Sequence, residues 1–153
     1  MRWTILTVVG VGLLLSWLLI SSLTCRSCLH DAKRISDLIR IQSELQGYFS
    51  KCGVYPGGVA KPDADPRCAS VTRPSELAGP LLGFPDIPRD QMTETDYSYC
   101  YGAGGDSYAL QANLEDHQNP ALTQALPAPP AGCTNTVGIV TCDKAKGEFC
   151  VGP

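Results

Sequence analysis

The sequence is poor in the side chains that carry most chemistry. It has two histidines, two methionines and three phenylalanines in 153 residues, and no charged side chain between Arg2 and Arg26. Neither His30 nor His117 has a nucleophile or a carboxylate pair beside it in a recognisable pattern, which argues against an enzyme. His117 reads as a surface residue of a loop. Twelve Lys and Arg against 15 Asp and Glu give a formal net charge of -3, so there is no basic field able to hold nucleic acid by counterion release. After residue 52 no Cys-x2-Cys pair occurs, which disfavours a zinc reading of Cys142 and Cys150. Asp63 and Asp65 lack the further ligands and the glycine of a calcium loop. No cofactor and no metal are expected.

What is present organises the chain from its start. The uncharged run after Arg2 is dense in Leu, Val and Ile, and at ~1.5 Å per residue it is long enough to cross a ~30 Å hydrocarbon core. The residues assigned to lipid contact and helix packing are Trp3, Thr7, Val8, Val9, Gly10, Val11, Gly12, Leu13, Leu14, Leu15, Leu18, Leu19 and Ile20. Gly10 and Gly12 either permit close backbone approach of a second helix or are simply tolerated in a membrane helix. The apolar core is too long for a secretory signal, and Ser22-Leu23-Thr24 is a poor small-x-small match. The same three residues do not fit a lipid-attachment signal before Cys25, so retention as an anchor is expected.

From Asp31 onward charged residues appear, yet apolar ones continue at helical spacing through Ile35, Leu38, Ile39, Leu45 and Phe49, with Gln42 filling one turn. No proline or glycine cluster separates the halves, which predicts one helix of about 50 residues, roughly 75 Å long. Lys33, Arg34, Asp37, Arg40, Ser43 and Glu44 fall off that stripe and read as a solvated face, with Lys33 and Arg34 spaced to pair with Asp37, and Arg40 with Glu44. Gly53 suits a left-handed cap.

Eight cysteines in so short a chain point to an oxidising compartment. They outweigh the charge rule for membrane orientation, by which Arg26, Lys33 and Arg34 would keep the following residues inside. Cys25 and Cys28 stand at the membrane exit and read as interfacial packing, with palmitoylation or pairing between subunits as alternatives. Cys52, Cys68, Cys100, Cys133, Cys142 and Cys150 belong to the head. Spacing alone does not choose among their pairings; proximity favours Cys52 with Cys68, Cys142 with Cys150, and Cys100 with Cys133.

Residues 53–96 form a long Pro-, Asp- and Gly-rich connection with one short helix predicted over 74–82. Alternation predicts strands at 97–101 and 107–114 joined by a glycine turn, then strands at 136–142 and 148–151. Domain organisation is thus a membrane and assembly helix over 1–25, then an extracytoplasmic head over 26–153. The fold class is α+β: a long amino-terminal helix packed on a small antiparallel sheet of three or four strands, stapled by disulfides.

Two separated stretches carry a resemblance. Residues 31–45 followed by Tyr48-Phe49 and Gly53-x-Tyr55-Pro56, and then Leu77 through Pro85-x-Ile87-Pro88-x-Asp90, the Tyr-rich strand and Tyr108-x-Leu110-x-Ala112-x-Leu114-Glu115, resemble type IV pilins and pseudopilins over roughly residues 31–116. The resemblance implies a structural subunit of a type IV pilus-like filament or secretion pseudopilus, assembled through its apolar helix. Its implied partners are other pilin-like subunits, the assembly machinery of the cytoplasmic membrane, and the bilayer itself. The chain would be a single-pass membrane protein with its head outside the cytoplasm, or part of a cell-surface filament. The amino terminus departs from the family's processing signal, a glycine followed by Phe-Thr-Leu-x-Glu: Arg2 precedes Trp3-Thr4-Ile5-Leu6-Thr7, so Arg2 and Thr7 stand where glycine and glutamate belong. That departure favours the alternative, a membrane-tethered pilin-fold domain that binds a partner and does not polymerise.

Overall fold

The computed structural model describes residues 2–77 and 87–153, with residues 2–26 described as helix only. A single helix, α1, runs Arg2–Cys52. Among the described residues no helix is long and apolar enough to cross a membrane. The segment read from sequence as membrane-spanning, with the helix-packing residues from Trp3 to Ile20, lies outside the residues whose side chains are described.

The second half of α1 lies on a four-stranded antiparallel sheet, built from β1 (Ser98–Tyr101), β2 (Tyr108–Asn113), β3 (Thr134–Val137) and β4 (Glu148–Val151) in the order β3-β1-β2-β4. Alternation sorts each strand onto two faces. Tyr99 pairs with Leu110 and Leu110 with Val151; together with Tyr108, Ala112 and Phe149 these residues face the helix and form the main core with Leu38, Ile41, Leu45 and Tyr48. Each fully buried Leu or Ile there is worth about 1.5–3 kcal/mol. On the opposite face, Cys100, Ala109 and Cys150 form a second small core with Val140 and Cys142. A covering of loop and disulfide thus replaces a second helix layer, which accounts for the cysteine density in so small a head.

The disulfides are Cys52–Cys68, Cys100–Cys133 and Cys142–Cys150, the three pairs that proximity favours. The first ties the end of α1 to a 3-10 turn at Pro66–Ser70 capped by Asp65. Gly53 ends the helix with φ +70 and donates to the Phe49 carbonyl at 2.8 Å. Gly57 adopts φ +90 beneath Tyr101, where a Cβ would stand 2.5 Å from the ring, so no other residue fits both the backbone and the space.

Several expectations are corrected. Ile39, placed in the buried stripe, is 56% exposed, whereas Arg34, Asp37 and Glu44, placed on the solvated face, are buried. The face under the head runs through Asp31, Arg34, Leu38, Ile41, Leu45, Tyr48 and Cys52, so the helix is rotated relative to its apolar periodicity. Of the short helix predicted over 74–82, the described part, Pro74–Leu77, is a 3-10 helix, and 78–86 lie outside the described residues. The strand expected at 136–142 is shifted to Thr134–Val137. Residues 141 and 142 instead give their N–H groups to the Gln111 side chain, at 2.9 and 3.1 Å, and so cannot continue a ladder.

Candidate functional site

The described helix has one covered face and one open face, and charge decides how the covered one is held. Asp31 is fully buried. Its Oδ1 accepts the backbone N–H of Glu115 at 2.8 Å and its Oδ2 that of Asp116 at 2.9 Å, where the chain leaves β2. Arg34, one turn on, donates to Asp90 at 3.0 Å, to Glu115 at 3.2 Å and to Asp31 at 3.3 Å. Burial alone would lower the Arg34 pKa, but the hydrogen bond and charge of Asp90, with Glu115 and Asp31 behind it, raise it, so the guanidinium stays charged. His30 Nδ1 stands 3.2 Å from the same Glu115 carboxylate.

The next turn repeats the pattern. Asp37 is buried between Lys33, with which it pairs, and the Tyr97 hydroxyl, which donates to it at 3.0 Å. Burial first, and then the Asp37 charge, raise the Tyr97 pKa. Gln42 donates to the carbonyl of Gly152, and Tyr48 donates to that of Cys68 at 2.7 Å. Burial pushes Tyr48 up to about 12. Polar bonds from Asp31 to Tyr48 thus fix the helix to residues 20 to 110 positions away, and set its rotation and height as an apolar seam alone would not. The arrangement is a rigid strut, and it holds its charged groups in mutual pairs.

On the open face Leu29 and Ile39 are exposed beside Ala32, Ser36 and Ser43. Cys28 is exposed, and Cys25 lies outside the described side chains. The structure brings the six head cysteines together in pairs; Trp3, Thr7 and the remaining helix-packing residues share the backbone of α1. Among the described residues no group of three or more His, Cys, Asp or Glu is placed to hold a metal ion. Asp65 accepts the backbone N–H of Arg67 at 3.0 Å and pairs with its guanidinium, and His117 is exposed beside Gly147. The buried polar residues of α1 are the part that sequence reasoning missed. One signal was available: Asp31, Arg34, Leu38, Ile41, Leu45, Tyr48 and Cys52 recur at three- and four-residue spacing, a stripe as regular as the one chosen. Comparison with protein-family models, with curated proteins and with solved structures finds no match.

Proposed function

We propose that the chain is a structural subunit of a type IV pilus-like filament or pseudopilus, joined to other copies through the apolar first half of α1. The observation that carries this reading is the continuity of α1: one helix, Arg2–Cys52, links an uncharged sequence to a head on which its second half is clamped by Asp31 and Arg34. A helix so fixed transmits force and orientation from an assembly segment to a head, whereas a tether needs only a flexible linker. Three disulfides suit a head exposed to an oxidising exterior.

A second reading, a tethered pilin-like head that binds a partner without polymerising, is favoured by Arg2 and Thr7. In the family that the sequence resembles, the carboxylate at the position of Thr7 neutralises a neighbour's amine inside the apolar core, where an unpaired charge is costly. Intact mass and amino-terminal sequence, measured on protein recovered from native membranes and from shed filaments, separate the two. A chain beginning near Trp3 with a methylated amine, found in filaments, supports assembly. An uncleaved chain confined to membranes leaves the tethered head.

A further inference from the structure

The charges of this chain are segregated along the sequence and around the helix. Residues 1–52 carry six basic and three acidic residues, and residues 53–153 six basic and twelve acidic. In the described half of α1 every carboxylate, on Asp31, Asp37 and Glu44, is turned under the head and buried, whereas Lys33, Arg40 and Lys51 are exposed. Lys33 pairs with Asp37, and Arg40 stands 4.0 Å from Glu44. The open face is therefore a row of cations over a backing of carboxylates, interrupted by Ile39 beside Arg40. The head has the opposite character at the end nearest Asp31. Glu94, Glu115 and Asp116 are exposed there. Arg89 is engaged with Asp96 at 2.9 Å and Lys146 with Asp143 at 3.2 Å.

We infer that the open face of α1 around Ile39 and Arg40 docks on the acidic end of the head, at Glu94 and Asp116, of a second copy of this chain. The inference rests on the assembly reading above and deepens it by naming the two surfaces that meet. They are different patches of one chain at different heights along α1: Asp31 and Arg34 fix the acidic end beside the start of the described helix, and Arg40 lies about 9 Å further along it. Such a contact is heterologous, does not close about a two-fold axis, and repeats into an open array whose copies are displaced along the helix. Ile39 and the stem of Arg40 supply apolar burial, and the charges set the register. A second copy fits better than an anionic lipid surface: the cation row from Lys33 to Lys51 runs roughly 27 Å along the axis, so a bilayer crossed by the same helix would meet only its end.

The test is sedimentation velocity on the full-length chain in mild detergent, at low and raised ionic strength. Wild type is expected to self-associate, more weakly as salt rises. Arg40→Glu and Glu94→Arg are each expected to weaken association about tenfold, the chain carrying both to recover it, and Ile39→Ser to weaken it while preserving the salt dependence. Thermal melts of each variant matching wild type establish that the head is intact. Single variants that associate as tightly as wild type would overturn this contact and leave assembly through the apolar segment standing. A wild-type chain that stays monomeric throughout would overturn the assembly reading and the contact with it.

Discussion

The carboxylate of Asp31 meets the backbone N–H of Glu115, 84 residues later in the chain, at 2.8 Å. A second oxygen of the same group takes the N–H of Asp116, so one buried side chain closes the end of β2 onto α1. Replacing it by alanine leaves the N–H groups of Glu115 and Asp116 without their acceptor and takes one of three carboxylates from the buried Arg34 guanidinium, which keeps Asp90 and Glu115. Asp31→Ala is expected to destabilise the head by about 3–5 kcal/mol, read by denaturant unfolding of the oxidised chain in detergent. Amide exchange at Glu115 and Asp116 is expected to accelerate even where the fold survives. An unchanged midpoint would show that the clamp is incidental.

This clamp also marks the limit of what the sequence shows. The helix, its glycine end, the Tyr-rich hairpin and the last strand are legible because they depend on local periodicity and turn chemistry. Leu38 and Leu45 fall where the apolar stripe puts them. The rotation of the helix is not legible, because a buried Asp31 or Arg34 is tolerable only with partners at 90, 115 and 116, and nothing in the local pattern announces groups that far away. Residues 138–142 mislead for a related reason: Val and Ile spacing reads as a strand, but Gln111 has already taken the N–H groups of 141 and 142.

Alkaline pH should unfold the head through its tyrosines. Burial holds the Tyr48 phenol up to about 12, and raises Tyr97 and Tyr99 as well. A group whose pKa is higher folded than unfolded contributes stability that is intact below the unfolded value, about 10 for tyrosine, and is lost as pH rises through the folded one. Stability should therefore fall between about pH 10 and 12, with phenolate absorbance of the buried rings rising together with loss of near-ultraviolet dichroism. Ionisation of every tyrosine near pH 10 with the fold unaltered would contradict this.

Glu44 should be a liability at neutral pH. Among the described residues its Oε2 is buried without a hydrogen-bond partner, and burial raises its pKa more than the nearby Arg40 lowers it. The stability it contributes is present below the unfolded carboxyl value and lost as pH rises through the folded one. Glu44→Gln is expected to exceed wild type by about 1 kcal/mol at neutral pH, and to lose that advantage in acid below about pH 4. Melting curves at the two pH values check it.

The Cys52–Cys68 bridge closes a separation of 16 residues at the end of α1. Replacing both by serine should cost about 3 kcal/mol and open the segment between them to limited proteolysis. Cleavage confined elsewhere would mean that the Tyr48 hydroxyl, bonded to the Cys68 carbonyl, holds that loop unaided.

Two isoleucines two residues apart test the rotation of the helix. Ile41 is 1% exposed and packs in the main core, whereas Ile39 is 56% exposed. Under dissociating conditions Ile41→Ala is expected to cost about 2–5 kcal/mol, since it leaves a cavity among Leu38, Leu45 and the sheet. Ile39→Ala removes the same atoms from water-facing helix and should stay within about 0.5 kcal/mol. Had the apolar periodicity of Ile35, Leu38 and Ile39 set the packed face, the two costs would be reversed. Denaturant unfolding of the pair therefore measures whether apolar spacing or the buried bonds of Asp31 and Arg34 choose which side of α1 meets the head.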